Sequence, residues 1–152
     1  MGKTRKPRVA FFDFACCEGC QLTVLQLEER LLDVIEQVEI VTFREAMTET
    51  SEAYDVAFVE GSITRASDIP RIEKIREIAG VVVALGACAT IGGVNCIKNR
   101  FSMDEAMETV YGNHAGLFET FEARPIDAVI DVDYYLHGCP INPNEFLMVF
   151  HA

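Results

Sequence analysis

"VVVALGACATIGG", residues 81–93, runs five apolar residues without a break into Gly86, and Cys88 follows two residues later. A strand with no polar alternation is buried on both faces, as a central strand of a parallel sheet is. Four further stretches suit the same sheet: "RVAFFDF" (8–14), "EIVTF" (39–43), "YDVAFVE" (54–60) and "IDAVIDV" (126–132). Segments with apolar residues at helical spacing lie between them, and this alternation is the pattern of an α/β fold with crossover helices.

"QLTVLQLEERLLDVIEQ" (21–37) predicts one helix, with Leu22, Leu25, Leu32 and Ile35 on its apolar face and Glu28 and Glu29 pointing elsewhere. Ser67 to Ala79 is a second. Ser67 or Asp68 caps it, Pro70 sits in its first turn, Ile69, Ile72 and Ile75 line one side, and Gly80 ends it. Met103–Tyr111 reads as a helix, whereas Asn113–Arg124 has no clean period. "NPNEFLMVF" (142–150) opens a last helix, with Asn142 as cap, Pro143 at the first helical position and Glu145 placed for a capping box.

A chain of 152 residues, half of them hydrophobic, suits one domain with a proper core. The division expected is a basic N-terminal tail over 1–7 and one α/β domain over 8–152. A net charge of −11 excludes the basic footprint that nucleic-acid binding needs. The dense positive stretch is Lys3, Arg5, Lys6 and Arg8, a solvated tail or a docking arm for an acidic partner. No apolar stretch reaches the roughly 18 residues of a membrane span, and the N-terminus does not have the form of a secretory leader. The expected location is the cytoplasm, where the six cysteines read as metal ligands or reactive thiols before disulfides.

Ligands of open parallel sheets gather beyond the carboxyl ends of the strands. Cys17 and Cys20 lie just past the first strand, Cys88 past the fourth and Cys139, in "YYLHGCPINP", past the fifth. Gly19, Gly86 and Gly138 lie beside or near them and let backbone approach a bulky inorganic core, with amides free to point at sulfur. Four thiolates fit structural zinc or a 4Fe–4S cluster. One Cys-x-x-Cys pair plus two distant single cysteines, on a domain able to fold on its own core, points to iron–sulfur. Cys96 reads as structural. Cys16, adjacent to Cys17, competes for the site, although neighbouring residues at a strand end tend to point opposite ways.

"CEGC" at 17–20, "VEGSI" at 59–63, "GACATIGG" at 86–93 and "GCP" at 138–140 resemble, in this order, the flavodoxin-like domain of nickel–iron hydrogenase small subunits. The same domain is similar to the 20-kDa-type subunit of respiratory complex I. The resemblance covers nearly the whole chain and implies a flavodoxin-like doubly wound parallel sheet. It implies one 4Fe–4S cluster on Cys17, Cys20, Cys88 and Cys139, next to the nickel–iron centre of a separate large subunit. "CEGCQLTVLQLEERLL" is most similar to the cytoplasmic NAD(P)-linked hydrogenases, which implies electron transfer to a diaphorase module carrying iron–sulfur clusters and flavin. Many such small subunits carry a C-terminal extension with further clusters, whereas this sequence stops at Ala152 and has no second Cys-x-x-Cys pair to hold nickel. The expected role is therefore a one-electron relay that is inactive alone.

Two readings stand beside it. In complex-I-type subunits tandem cysteines are the ligands, which would promote Cys16 and demote Cys20 in a quinone-proximal subunit. A zinc-stabilised interaction module is the other. Around the ligands, Glu18 and Glu60 are candidates to face the large subunit near a proton route, His137 to donate to a cluster sulfur, and Thr90 to orient the Cys88 loop.

Overall fold

The computed structural model describes residues 5–151. Its strands are β1 (Arg8–Asp13), β2 (Glu39–Phe43), β3 (Val56–Glu60), β4 (Val81–Leu85) and β5 (Tyr134–Leu136). They form one five-stranded sheet, all parallel, in the order β2-β1-β3-β4-β5. This is the flavodoxin-like order, in which the chain reverses its direction of winding between β1 and β3. The helices are α1 (Gly19–Leu25), α2 (Glu29–Gln37), α3 (Ile69–Ile78), α4 (Gly86–Ile91), α5 (Met103–Tyr111) and α6 (Pro143–Phe150).

Alternate residues of β1, β3 and β4 feed two cores, because successive side chains point to opposite faces. Val9, Phe11, Phe58, Val83 and Leu136 join Val24, Leu27, Val34 and Phe146 on the side of α1, α2 and α6. Ala10, Ala57, Val59, Val82 and Ala84 join Ile72, Ile75 and Ile126 on the side of α3. Aromatic stacking knits the first layer, with Phe11 4.3 Å from Phe43 and 5.0 Å from Phe58, ring centre to ring centre.

The helix expected over 21–37 is two helices. The break falls at Glu28, whose φ of 56° no regular helix contains. The buried face is also not the expected one. Cys20, Gln21, Val24, Leu27 and Val34 turn inward, while Leu22, Leu32 and Ile35 are exposed. Leucines populate both sides of this segment, so apolar spacing alone does not choose the face that meets the sheet.

The strand expected over 126–132 is absent. Ile126–Ala128 forms a 3-10 turn, and the fifth strand lies later, at Tyr134–Leu136. Ile126 and Ile130, four apart, share the α3-side core as one turn of helix would place them, although their segment also alternates like a strand. Cys139 still follows the fifth strand.

At α3, Asp68 stands at the N-cap without a side-chain capping bond. Its carboxylate instead takes Arg65 Nη2 at 2.7 Å. Asn142 caps α6 as expected, accepting from the N–H groups of Asn144 and Glu145, but among the described residues Glu145 returns no bond to complete a box. The box forms at α5, between Ser102 and Glu105. Of the expected tail, residues 1–4 lie outside the described residues. Arg5 pairs with Asp55 at 2.9 Å and Lys6 Nζ donates to the Ile35 carbonyl at 3.2 Å. No helix among the described residues is long and apolar enough to cross a membrane.

Candidate metal centre

The crevice at the winding reversal is built first by the end of β1. Beyond Asp13 the chain keeps pairing with the segment after β3. Phe14 N–H donates to the Glu60 carbonyl at 2.9 Å, and Ala15 and Ser62 exchange bonds of 3.1 and 3.0 Å. Asn95 joins this seam, its Nδ2 donating to the Ala15 carbonyl at 2.7 Å and to Ser62 Oγ at 2.8 Å. Glu18 then adopts the left-handed conformation, φ 62°, and turns the chain into α1.

Cys17 is exposed just before this turn, whereas Cys20 is buried in the first turn of α1. Cys88 occupies the first turn of α4, and Cys139 is exposed beyond β5. Two of the cysteines expected on loops thus ride on short helices. The Ala87 N–H donates to the Gly138 carbonyl at 2.7 Å, which fastens the start of α4 to the Cys139 segment.

Glycines cradle three of these thiols. A Cβ on Gly86 would stand 2.3 Å from Cys20 Sγ, one on Gly93 2.9 Å from Cys88 Sγ, and one on Gly19 3.3 Å from Cys17 Sγ. At Gly86, φ is also +82°, so both space and backbone demand glycine. Backbone is thereby packed closely around each of these three sulfurs.

The thiols feel one another. As a free thiol Cys88 is pushed up first by burial and then by its neighbours Cys139 and Cys17. Burial lifts Cys20 to about 12 against a lowering hydrogen bond from the Ile141 backbone, and Glu60 and Cys88 raise it further. Cys16 is also lifted to about 12, by burial and then by the Glu60 carboxylate. Its charged neighbours are Glu60, Asp13 and Glu18. Cys96 donates to the Ala123 carbonyl at 3.4 Å and packs against Gly92.

Among the described residues, no three or more His, Cys, Asp or Glu side chains converge on a point that would hold a single ion. The donor set suits a wider group. Cys17, Cys20, Cys88 and Cys139 come from three strand ends, and a four-iron cluster takes one thiolate per iron rather than four around one ion.

The other expected residues fall into two groups. Thr90 Oγ1 and His137 Nδ1 share a hydrogen bond 3.0 Å long, so these two residues meet each other. Glu18 pairs with Arg44 from the end of β2, which also reaches Asp13 at 3.2 Å. Glu60 does not reach the surface, being 2% exposed. Its two oxygens accept the N–H groups of Cys20 at 3.2 Å and Gln21 at 3.1 Å. Burial holds its carboxyl above the usual range, partly offset by those two amides.

Sequence reasoning missed Arg44, Asn95 and Gln21. Arg44 was open to the same strand-end rule that found the cysteines. Gln21, 1% exposed, has neither polar side-chain atom bonded within the described residues. Its place among inward-facing Cys20, Val24 and Leu27 was the available signal.

Comparison with known proteins agrees with this architecture. Residues 17–152 match the family described as NADH ubiquinone oxidoreductase, 20 Kd subunit. The chain is 32% identical over 143 residues to sulfhydrogenase 2 subunit delta of Pyrococcus furiosus, taking in 93% of this chain and 60% of that one. It is 29% identical over 153 residues to NAD-reducing hydrogenase HoxS subunit delta of Cupriavidus necator, covering 89% of this chain and 72% of the other. Among solved structures it superposes on a chain of an NAD+-reducing [NiFe]-hydrogenase in the H2-reduced state with a TM-score of 0.84 and 28% identity, over 94% of this chain and 88% of that one. The chain thus spans less than two thirds of the length of the Pyrococcus relative and most of the length of the solved one.

Proposed function

The chain belongs to the family of the NADH ubiquinone oxidoreductase 20 Kd subunit, and from that premise we propose that it is the electron-transfer small subunit of a nickel–iron hydrogenase. Cys17, Cys20, Cys88 and Cys139 would hold one 4Fe–4S cluster, and the natural location would be the cytoplasm. The observation that supports the reading is that Cys88 has Cys139 and Cys17 as charged neighbours and Cys20 has Cys88, with three of these four thiols packed on glycines. The subunits named as relatives belong to hydrogenases, one of them NAD-reducing.

When bound, such a cluster supplies a one-electron couple. The chain's own residues bind and orient it. Gly86 and Gly93 let backbone close on the sulfurs, and the Ala87–Gly138 bond holds two ligand segments together. Burial of Cys20 keeps water from one side. Exposed Ile91, Val94, Ile97 and Phe101 continue from the helix of Cys88 and offer an apolar surface for a nickel–iron large subunit. The electron's further path would be through an iron–sulfur and flavin diaphorase module.

The family also contains the complex-I-type subunit, in which Cys16 would replace Cys20. Cys20 packs on Gly86 and has Cys88 as a charged neighbour, whereas the charged neighbours of Cys16 are carboxylates, and this favours the hydrogenase arrangement. Iron and sulfide analysis of the anaerobically purified chain, with EPR after reduction, tests both. The expected result is a reduced-cluster signal that survives Cys16→Ser and is lost in Cys20→Ser. The reverse pattern would assign the complex-I arrangement, and stoichiometric zinc without a cluster signal would overturn both.

A further inference from the structure

We infer that Glu60 is a positioning residue, one that fixes Cys20 by holding the first turn of α1 from the end of β3. The inference rests on the cluster reading above for the role of Cys20, and on geometry for everything else.

Glu60 is itself immobilised. It is the last residue of β3, in register with Asp13 of β1 and Leu85 of β4, and its carbonyl accepts from Phe14. The next residue, Gly61, has φ +99° and lies so close to Phe14 that a Cβ would stand 2.7 Å from the Phe14 carbonyl carbon. A side chain leaving so constrained a backbone has little freedom of aim. Its carboxylate is buried, and among the described residues no Lys, Arg or His forms an ion pair with it. An unpaired buried carboxylate is costly, and a neutral residue of similar size would fill the space at lower cost.

What the carboxylate gains is two amides, one on each oxygen. Those amides need it. Glu18, at the N-cap of α1, makes no side-chain capping bond, so the first-turn N–H groups of Cys20 and Gln21 are satisfied from another strand. The thiol they carry has no slack, since Cys20 Sγ occupies the space a Cβ on Gly86 would take. Rotation or fraying of the first turn would move that sulfur against backbone. Gln21 is fully buried beside these bonds, and among the described residues its side-chain amide has no hydrogen-bond partner. Charge-assisted bonds to two successive amides thus set where Cys20 stands.

Two measurements on the full chain test this. In the metal-free chain, amide exchange at Cys20 and Gln21 should rise about tenfold in Glu60→Ala and less in Glu60→Gln, which keeps one of the two accepting oxygens and replaces the other by an NH2 donor. Exchange elsewhere in the sheet should stay unchanged. Unchanged exchange at Cys20 and Gln21 would overturn the inference. In the iron-loaded chain, release of iron to a chelator should quicken by about 10- to 100-fold in Glu60→Ala and by less in Glu60→Gln, with the four-iron EPR signal broadened but retained. A three-iron signal in these variants would report loss of the iron at the Cys20 corner and support the positioning role, whereas wild-type iron release in both variants would overturn it. Should Glu60→Ala not fold, Glu60→Gln carries both arms. A wild-type chain that takes up no cluster would sink the function proposed above, while the exchange arm would still decide whether Glu60 holds the turn.

Discussion

Thr90 in α4 and His137 after β5 are joined by a hydrogen bond of 3.0 Å, which links the helix of Cys88 to the strand end that precedes Cys139. Thr90 is buried and His137 exposed, so the bond runs from the core to the surface. Thr90→Val keeps the shape and removes the hydroxyl, and should lower stability by about 1 kcal/mol in urea unfolding. Combined with His137→Phe, the two losses should sum to more than the double variant shows, because each alone breaks the same bond. Strict additivity would mean that the residues do not act as a pair.

Gly86→Ala tests the cradle under Cys20. The new methyl would meet sulfur at 2.3 Å on a backbone with φ +82°, so a loss of about 1–3 kcal/mol is expected in thermal or urea unfolding. Adding Cys20→Ala should restore part of it by removing the sulfur, leaving only the backbone strain. No recovery in the double variant would place the conflict elsewhere.

Glu28 joins α1 to α2 with φ 56° and ψ −123°, a region that glycine alone occupies freely. Its side chain is exposed, and it bonds to the rest of the chain through its carbonyl, which accepts from Leu31. Glu28→Gly should therefore raise stability, by about 1 kcal/mol net of the entropy that glycine adds to the unfolded chain. A decrease would show that the strain is relieved by some other means.

Acid should loosen the edge of the sheet at β5. Asp133 accepts from the Val82 N–H at 2.7 Å and from Arg76 at 2.6 Å, and these hold its carboxyl below the usual carboxylate range. A folded-state pKa below the unfolded one stabilises the fold fully above the unfolded value, and the gain is lost as pH falls through the folded value. Asp55, bonded to Arg5 and to the Arg8 amide, behaves alike just before β3, at the same amino-terminal edge of the sheet. Stability of Asp133→Asn should accordingly fall less steeply below about pH 4 than that of the wild type. Parallel acid limbs would remove Asp133 from the account.

Much of this is legible in the sequence where one physical rule acts alone. "VVVAL" and "EIVTF" are strands with the bounds expected of them, because a continuous or β-rich apolar run between helical segments has few other uses. The convergence of the cysteine-bearing segments follows from strand direction, which the alternating pattern already contains. Legibility fails where two rules compete. "IDAVIDV" alternates like a strand and also spaces Ile126 and Ile130 like a turn, and only the packing against α3 decides. Leu22, Leu32 and Ile35 form as good an apolar stripe as the residues that are buried, and the break at Glu28 resets which side faces inward. Glu60 was visible as a strand-end acid, but its aim depends on Gly61 pressing against Phe14, a contact between segments far apart in the chain.

The registers of β1, β3 and β4 fix more than packing. Asp13 pairs with Glu60, and Glu60 with Leu85, immediately before each segment that bears a cysteine or its support. A slip of one residue in any of these ladders would exchange the two cores and point the following segment the wrong way. The last thiol arrives only after β5, so nearly the entire chain must be threaded before four sulfurs meet. On the function proposed above, metal uptake would therefore be a proofreading step. A misregistered or unfinished sheet has no complete site to fill, and loading marks the molecules whose topology is already right.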